Sequence, residues 1–416
     1  MNTLRKHFSL RLLPVLVLPA LMVSSGCDED EGPTGPFQDA SLAAVAYLGF
    51  DSGVVSAPSC VQCHMETSLD WGDTGHAHAL ATLYDSGHAQ SSCRPCHTTG
   101  WNVADGIFGA DDAWTAATAD TLRLKDVQCE ECHGPASQHN APAEGVTDVL
   151  TPDDAELWEG EMCGDCHQGS HHPQFEEWES SAHAVSDQAA GGFVATQALC
   201  MKCHVGQNFV EYLEEGDAGD PMSDPVPVTC QACHNSHNRN NPGQLRTTLG
   251  QDIICARCHT ADGAMPGTAV HNSVWEVFNG TLPFTYSGET YENSAHTDMF
   301  SGRVCLSCHY VESPFVSDLV PAATGHTFET DVEVCAKCHT GAVDFDVYGV
   351  QTETAGLIAT LKAEIEIARA TGADTGASFD NALYVLQAAE KEGSLGIHNR
   401  DYIQKLLQDA IDDLDP

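Results

Sequence analysis

The stretch QCEECHGPASQH spans Gln128–His139 and sets the organisation of the whole chain. It holds two cysteines separated by two residues, a histidine directly after the second cysteine, and another histidine six residues further on. The first half of this pattern, Cys-x-x-Cys-His, occurs eight more times along the chain. The sequence therefore repeats one chemical site that is made of two thiols and an imidazole.

The nine pentads account for 18 of the 19 cysteines and leave only Cys27 outside them. Their cysteines are Cys60, Cys63, Cys93, Cys96, Cys129, Cys132, Cys163, Cys166, Cys200, Cys203, Cys230, Cys233, Cys255, Cys258, Cys305, Cys308, Cys335 and Cys338. Their histidines are His64, His97, His133, His167, His204, His234, His259, His309 and His339. No cysteine of the mature chain remains for a disulfide.

The pentad is the signature of covalent haem c attachment. Its two thiols add across the haem vinyl groups, and the adjacent histidine, held close by the short turn, gives the proximal nitrogen to iron. A zinc ribbon does not require a histidine directly after each cysteine pair. A dithiol oxidoreductase carries one or two reactive pairs rather than nine. The sequence therefore predicts nine haem c groups, with iron, as the cofactors.

The charge of the chain restricts its partners. With 60 acidic and 17 basic residues among 416, the formal net charge is −43. Nucleic acid needs Lys and Arg for its phosphates, so we expect no nucleic-acid binding. A strongly negative surface instead steers basic partners toward the protein.

The N-terminus indicates export. Residues 1–26 combine basic residues with a short apolar run, LLPVLVLPALMV, that Pro interrupts, and this pattern is typical of a signal peptide. Because small residues precede Cys27, we expect a bacterial lipoprotein signal with a lipidated Cys27, although Ser24 stands where leucine is usual. An ordinary secretory signal is the alternative. Residues 27–58 begin with an acidic Gly/Pro stretch that reads as a solvated tether.

The histidine supply covers a second axial ligand for every iron. Besides the pentads and His7 of the signal, 12 histidines remain for nine irons. An iron with two histidine ligands has no position for substrate and can only pass electrons. Our candidate distal ligands are His76, His88, His139, His171, His172, His183, His237, His271, His296, His326 and His398. His171 and His172 are adjacent, so we expect one of them to bind, and His78 competes with His76.

The pentads fall into three groups of three, which we place at about residues 59–150, 151–250 and 251–345. Each group holds an aromatic residue followed five positions later by a histidine, as in WGDTGHA, WESSAHA and YENSAHT. These elements begin at Trp71, Trp178 and Tyr291, and this internal repeat is the strongest organisational signal in the chain. We also expect His139 and His237 to reach from their own pentads to a neighbouring haem.

Residues 346–416 contain no cysteine and read as helical. Apolar residues recur at three- and four-residue spacing from Leu357 onward, and Gly372, Gly376 and Gly393 interrupt the pattern. Ser378 is expected to cap the second helix and Asn399 the third. We predict a helical hairpin or small bundle that packs on the haem region or offers a face for oligomerisation.

The nine pentads, the three aromatic-x4-His elements and the runs CHTTGW, CEECHGPASQH and GSLGIHN resemble the multihaem cytochrome c superfamily. That superfamily includes the tetrahaem cytochrome partner of hydroxylamine oxidoreductase and the ammonia-forming nitrite reductases. The resemblance covers about residues 58–412. It implies a mostly α-helical fold with much irregular loop, closely packed haems, and electron transfer outside the cytoplasm.

Three functions follow from these features. The first is an electron carrier, periplasmic or at the bacterial cell surface, with a lipid anchor in the membrane. Its partners would be redox proteins, either other cytochromes or a quinol-oxidising membrane complex. The second is an oxidoreductase of nitrogen or sulfur oxyanions or hydroxylamine with one five-coordinate haem, although the CxxCK motif of many nitrite reductases is absent. The third is a subunit of a conductive filament. We favour the carrier and name no catalytic residue.

Overall fold

The computed structural model describes nine parts of the chain: residues 49–50, 60–87, 89–100, 124–136, 139, 149–151, 154–249, 253–300 and 305–414. Two predicted site residues, Cys27 and His88, lie outside this part of the chain. So do residues 1–26 and all of the expected tether except Gly49 and Phe50.

The described residues are mostly helical, which confirms the predicted fold class. Nine of the α-helices described within residues 60–345 are six residues long or shorter, because glycines and the pentads interrupt the chain repeatedly. The α-helices, α1 to α17, are Cys60–Cys63, Met65–Gly72, Ala79–Asp85, Arg94–His97, Cys129–His133, Gly160–Gly164, Gln174–Ser180, Ala198–His204, Gly206–Glu215, Cys230–Cys233, Val274–Asn279, Ala295–Met299, Leu306–His309, Val332–Ala336, Val350–Thr371, Ala377–Glu392 and Arg400–Leu414. Further 3₁₀ turns are His76–His78, Ser91–Cys93, Ala155–Leu157, Ala182–Thr196, Pro242–Gln244, Ile254–Arg257 and Val347–Gly349.

Sheet structure is minimal in the same residues. Strands β1 (Glu312–Ser313) and β2 (Ala323–Thr324) form one antiparallel pair, in which Glu312 lies opposite Thr324. The hairpin lies between the last two pentads. No described helix is both long enough and apolar enough to cross a membrane.

The C-terminal helices α15, α16 and α17 pack on one another as a three-helix bundle, as the sequence predicts. Gly372 and Gly393 end the first two helices in the left-handed conformation, at φ values of 76° and 79°. One boundary differs from the prediction. Helix α16 starts at Ala377, so Ser378 lies in its first turn rather than at its cap. The preceding Gly376 takes the cap position.

The largest polypeptide core belongs to this bundle. Nineteen buried apolar residues form its cluster, and three of them, Val270, Val277 and Leu282, come from the preceding group of pentads. The other clusters among the described residues contain four, three and three buried members. The haem region therefore offers little side-chain core of its own, as expected if porphyrins supply much of its buried apolar surface.

Candidate haem sites

Each pentad forms a single helical turn. In six of them the histidine N–H donates to the carbonyl of the first cysteine, at 2.8–2.9 Å. Residues i, i+3 and i+4 share one face of such a turn. Both sulfurs and the imidazole of a Cys-x-x-Cys-His segment consequently point the same way, as a group bonded to all three requires. The expectation that no cysteine forms a disulfide is wrong at Cys93, which is disulfide-bonded in this structure.

Eight of the nine pentad histidines face a second histidine in the described part of the chain. Because a metal–imidazole bond is about 2 Å long, two imidazoles on opposite sides of one iron place their ring centroids about 6 Å apart. The observed separations run from 5.9 to 6.3 Å. These spaces fit a bis-histidine haem iron.

The pairs join distant parts of the sequence. They are His64 with His139, His133 with His237, His167 with His76, His204 with His271, His234 with His326, His259 with His183, His309 with His398 and His339 with His296. Eight of the eleven predicted distal ligands thus meet a pentad histidine. His139 reaches across to the first pentad, which is the role expected for the second histidine of QCEECHGPASQH.

Backbone carbonyls fix the tautomer of several rings. Nδ1 of His97, His133, His204, His234, His309 and His296 lies 2.6–3.0 Å from a carbonyl oxygen. A carbonyl only accepts, so each Nδ1 carries the proton and each Nε2 keeps a free lone pair. This arrangement orients the imidazole for metal binding.

Burial keeps two of the paired imidazoles, His167 and His183, in the neutral form that binds a metal. Desolvation, followed by charge repulsion from His76 and other histidines, lowers the pKa of His167 to about 4. Desolvation and then the charge of His259 lower the pKa of His183 to about 4. At neutral pH both rings are therefore unprotonated at one nitrogen and need not lose a proton to bind.

The surroundings of His171 and His172 differ. His171 stacks on Phe315, with centroids 3.7 Å apart. Desolvation and then charge repulsion from His97 and His171 lower the pKa of His172, although much of its ring is open to solvent. His172 also lies 6.5 Å from His167, which already has His76 at 6.1 Å. The charge of His97 thus reaches His172, and His97 is the ninth pentad histidine.

The aromatic-x4-His elements recur as structure in the first two groups. The Trp71 indole donates to the carbonyl of Val127 (3.2 Å), and the Trp178 indole donates to that of Val228 (2.9 Å). Each acceptor stands two residues before the third pentad of its group. The Tyr291 hydroxyl instead donates to Asp409 in helix α17, at 2.8 Å.

A loop of the C-terminal bundle completes the last two sites. His398 faces His309, while the carbonyl of the preceding Ile397 accepts from His296 Nδ1 at 2.9 Å. The buried side chain of Asn399 accepts from the Ser294 N–H (2.9 Å) and donates to carbonyls of the third group. Asn399 holds the expected cap position of helix α17, where its carbonyl accepts from the Ile403 N–H at 3.1 Å, and its side-chain amide also ties the bundle to this group.

Two side chains hold segments near the paired histidines through contacts that the sequence analysis did not predict. The Glu177 carboxylate accepts from the Thr324 hydroxyl (2.7 Å) and the His326 N–H (2.8 Å), and Thr324 in turn lies 3.0 Å from His326 Nδ1. Glu177 directly precedes Trp178 in sequence but holds a distal histidine almost 150 residues away. The other is Asn399. Only the folded chain brings such partners together.

Cysteine contacts show which pentads are neighbours. Thiols of different pentads lie close enough to shift one another's pKa in five pairs, namely Cys60 with Cys129, Cys96 with Cys166, Cys163 with Cys230, Cys203 with Cys258 and Cys255 with Cys305. Electrostatic contacts add Cys132 with Cys163, Cys233 with Cys255 and Cys308 with Cys335. Haems bonded to neighbouring cysteines would lie close to one another.

Three family profiles match the chain. The profile described as cytochrome c554 and c-prime matches residues 59–134, and the one for cytochrome c7 and related cytochrome c matches residues 115–217. The doubled CXXCH motif matches residues 224–264. Together these ranges include seven of the nine pentads.

Two curated relatives share a quarter of their aligned residues with the chain. The multiheme cytochrome MtrA of Shewanella baltica is 25% identical over 286 residues, which cover 52% of this chain and 76% of the relative. The C-type polyheme cytochrome OmcC of Geobacter sulfurreducens is 25% identical over 271 residues. That alignment covers 64% of this chain but only 31% of OmcC.

Two solved structures share the fold. The outer cell wall cytochrome OcwA superposes with a TM-score of 0.58 at 24% identity and covers 77% of this chain and 75% of its own. An undecaheme cytochrome from the S-layer of Carboxydothermus ferrireducens superposes with a TM-score of 0.59 at 20% identity. The superposition covers 88% of this chain and 69% of the undecaheme cytochrome. At these identities the likeness concerns the fold alone.

Proposed function

Since the chain belongs to the multihaem cytochrome c superfamily, we propose that it is an electron carrier with nine bis-histidine haems. Haem iron supplies the chemistry by alternating between the ferric and ferrous states. The polypeptide attaches each haem through two cysteines and holds it between two imidazoles. It provides no general acid, base or nucleophile in this role.

The observation that carries the proposal is the pairing of histidines at eight pentads. A site with imidazoles on both sides at iron-binding distance offers no position for a substrate. The carbonyl bonds at Nδ1 hold the rings in that orientation, so an axial ligand does not swing away easily. This arrangement favours outer-sphere electron transfer over catalysis.

We propose His172 as the partner of His97. In the second group, the middle pentad histidine His204 meets His271, which follows the first pentad of the third group. By the same rule His97, in the middle of the first group, takes a histidine that follows the first pentad of the second group. His172 satisfies this rule and lies in electrostatic contact with His97. His88 is the competing candidate and lies outside the described residues.

The cysteine contacts support an order for the nine sites. Seven pentads form a row that begins at Cys60 and continues through Cys129, Cys163, Cys230, Cys255, Cys305 and Cys335. The pentad at Cys93 lies beside the one at Cys163, and the pentad at Cys200 lies beside the one at Cys255. We propose that electrons travel along the row and that the two side sites store charge.

We also propose an exported protein that is tethered to a bacterial membrane through lipidated Cys27. The signal-like residues 1–26 and the acidic stretch after them support this location. The names of the two similar structures, one from an outer cell wall and one from an S-layer, fit it. With a net charge of −43, suitable redox partners present basic surfaces, as other cytochromes or a quinol-oxidising membrane complex could.

Haem counting and ligand binding together test this function. The intact mass and the pyridine haemochrome spectrum should give nine haems per chain. Carbon monoxide, cyanide or nitrite should leave the Soret band unchanged, because every iron has two protein ligands. A stoichiometric spectral change would contradict the carrier and favour the oxidoreductase, with the site at His97 as the first place to search.

A further inference from the structure

The last turn of helix α16 places a carboxylate behind a proposed axial ligand. Oε1 of Glu392 lies 2.5 Å from Nδ1 of His398, the histidine that faces His309. The Glu392 side chain is 1% exposed, whereas that of His398 is 21% exposed. The other carboxylate oxygen of Glu392 accepts from the Ser394 N–H at 3.1 Å.

These two atoms depend on each other. Both are buried and lie in ion-pair contact with each other, and neither makes a hydrogen bond in the described part of the chain. A buried carboxylate without a partner is costly, so Glu392 is retained here against a substantial desolvation penalty. The Ser394 hydroxyl accepts from the His398 N–H (3.1 Å) and fixes the loop that brings the pair together.

The group that faces Nδ1 of His398 differs in kind from those that face Nδ1 of seven other histidines. The Nδ1 atoms of His97, His133, His204, His234, His296 and His309 face backbone carbonyls. Nδ1 of His326 faces the Thr324 hydroxyl. All of these acceptors are neutral. A carboxylate binds the N–H more strongly and makes the imidazole a more basic ligand.

We propose that Glu392 is a positioning residue that lowers the reduction potential of the site between His309 and His398. The inference rests on the proposed bis-histidine function. A more electron-rich axial ligand stabilises ferric relative to ferrous iron, and hydrogen bonding to the axial ligand is one of the protein's levers on potential. The bundle thus supplies a ligand to this site and also sets its potential.

The test compares Glu392→Gln with Glu390→Gln in the holoprotein. Glutamine keeps the shape of Glu392 and replaces its charge with a neutral acceptor like those at the other sites. Glu390 is on the same helix and pairs with Lys362 at the surface, so it is the matched control. Spectroelectrochemical titration should show one haem of the set with a raised potential in Glu392→Gln and none in Glu390→Gln. The low-spin EPR g-values of that one haem should shift as well.

A second variant separates the effect of the Glu392 charge from a change in the structure around the site. Glu392→Asp keeps the negative charge and should leave the potential below that of Glu392→Gln, while haem content and helical circular dichroism match the wild type. Unchanged potentials in Glu392→Gln, or equal shifts in both glutamine variants, would overturn the inference. A high-spin haem in the wild-type protein would instead overturn the proposed function, so the two failures are distinguishable.

Discussion

The histidine of the aromatic-x4-His element finds its pentad partner differently in the first two groups of pentads and in the third group. In the first two, His76 and His183 reach forward to the first pentad of the next group, at His167 and His259. In the third group no further pentads follow. His296 turns to His339 within its own group instead, and the bundle contributes His398 to His309.

This difference indicates what the bundle is for. Repeating units that bury their faces against neighbours need a distinct terminal element. Here the bundle occupies the place of the next group, so Tyr291 bonds to Asp409 where Trp71 and Trp178 bond within their own groups. The C-terminal segment is thus part of the last two haem sites as well as a separate core.

The largest expected effect comes from removing the ligand that the bundle supplies. We expect His398→Ala to convert one of the nine haems to the high-spin state and to open it to carbon monoxide. EPR spin quantitation and carbon monoxide titration measure this directly. The control is His78→Ala, because His78 is exposed and competes unsuccessfully with His76. A wholly low-spin His398→Ala protein would show that the bundle supplies no axial ligand through His398.

Variants of His171 and His172 test whether His97 of the first group finds its partner in the same way as His204 of the second group. We expect His172→Ala to leave one iron without its second ligand, whereas His171→Ala keeps all irons low-spin, because His171 is stacked on Phe315. Low-temperature EPR of the two variants distinguishes them. The opposite result would assign His171 to His97, and unchanged spectra in both would assign His88 to His97.

A cavity in the C-terminal bundle should lower the stability of the bundle more than that of the haem region. Leu406 is fully buried in the bundle, and Leu406→Ala should lower its free energy of unfolding by about 2–5 kcal/mol. In the proposed function, covalent attachments and axial bonds hold the haem region, so its Soret band should change later than helical circular dichroism during thermal unfolding. Ile367→Ala, at an exposed position on helix α15, is the control. A single coincident transition in the Leu406→Ala protein would mean that the two regions unfold as one unit.

The smallest effect concerns the aromatic elements. Trp178→Phe removes the indole bond to Val228, and Tyr291→Phe removes the hydroxyl bond to Asp409. Each loss should cost about 1 kcal/mol, and more where a buried carbonyl is left unpaired. Denaturant unfolding followed by circular dichroism should detect Tyr291→Phe in the bundle transition, and Trp178→Phe only in the haem-region transition. Equal effects of both variants on both transitions would argue against the view that Trp178 stabilises the haem region and Tyr291 stabilises the bundle.

Much of this organisation is predictable from the sequence because its signals are local. A pentad needs only five consecutive residues, and glycines mark the ends of the bundle helices. The mostly helical fold and the bundle are confirmed. The candidate distal histidines could be selected because few histidines remain once the pentads are assigned.

The pairing of those histidines was not predictable. His133 and His237 are about a hundred residues apart, and only the path of the chain brings them together. The contact of Glu392 with His398 and the side-chain contacts of Asn399 were not predicted for a similar reason. A glutamate at the end of a surface-like helix and an asparagine at a helix start have ordinary local explanations. Their buried partners are visible only in three dimensions.

The central claim is that every iron is held by two histidines, and the low-temperature EPR spectrum of the wild-type holoprotein tests it most directly. Spin quantitation against the haem content should give nine low-spin ferric haems per chain and no high-spin signal. A high-spin signal of one haem per chain would contradict the claim and would mean that this chain has a position for a substrate.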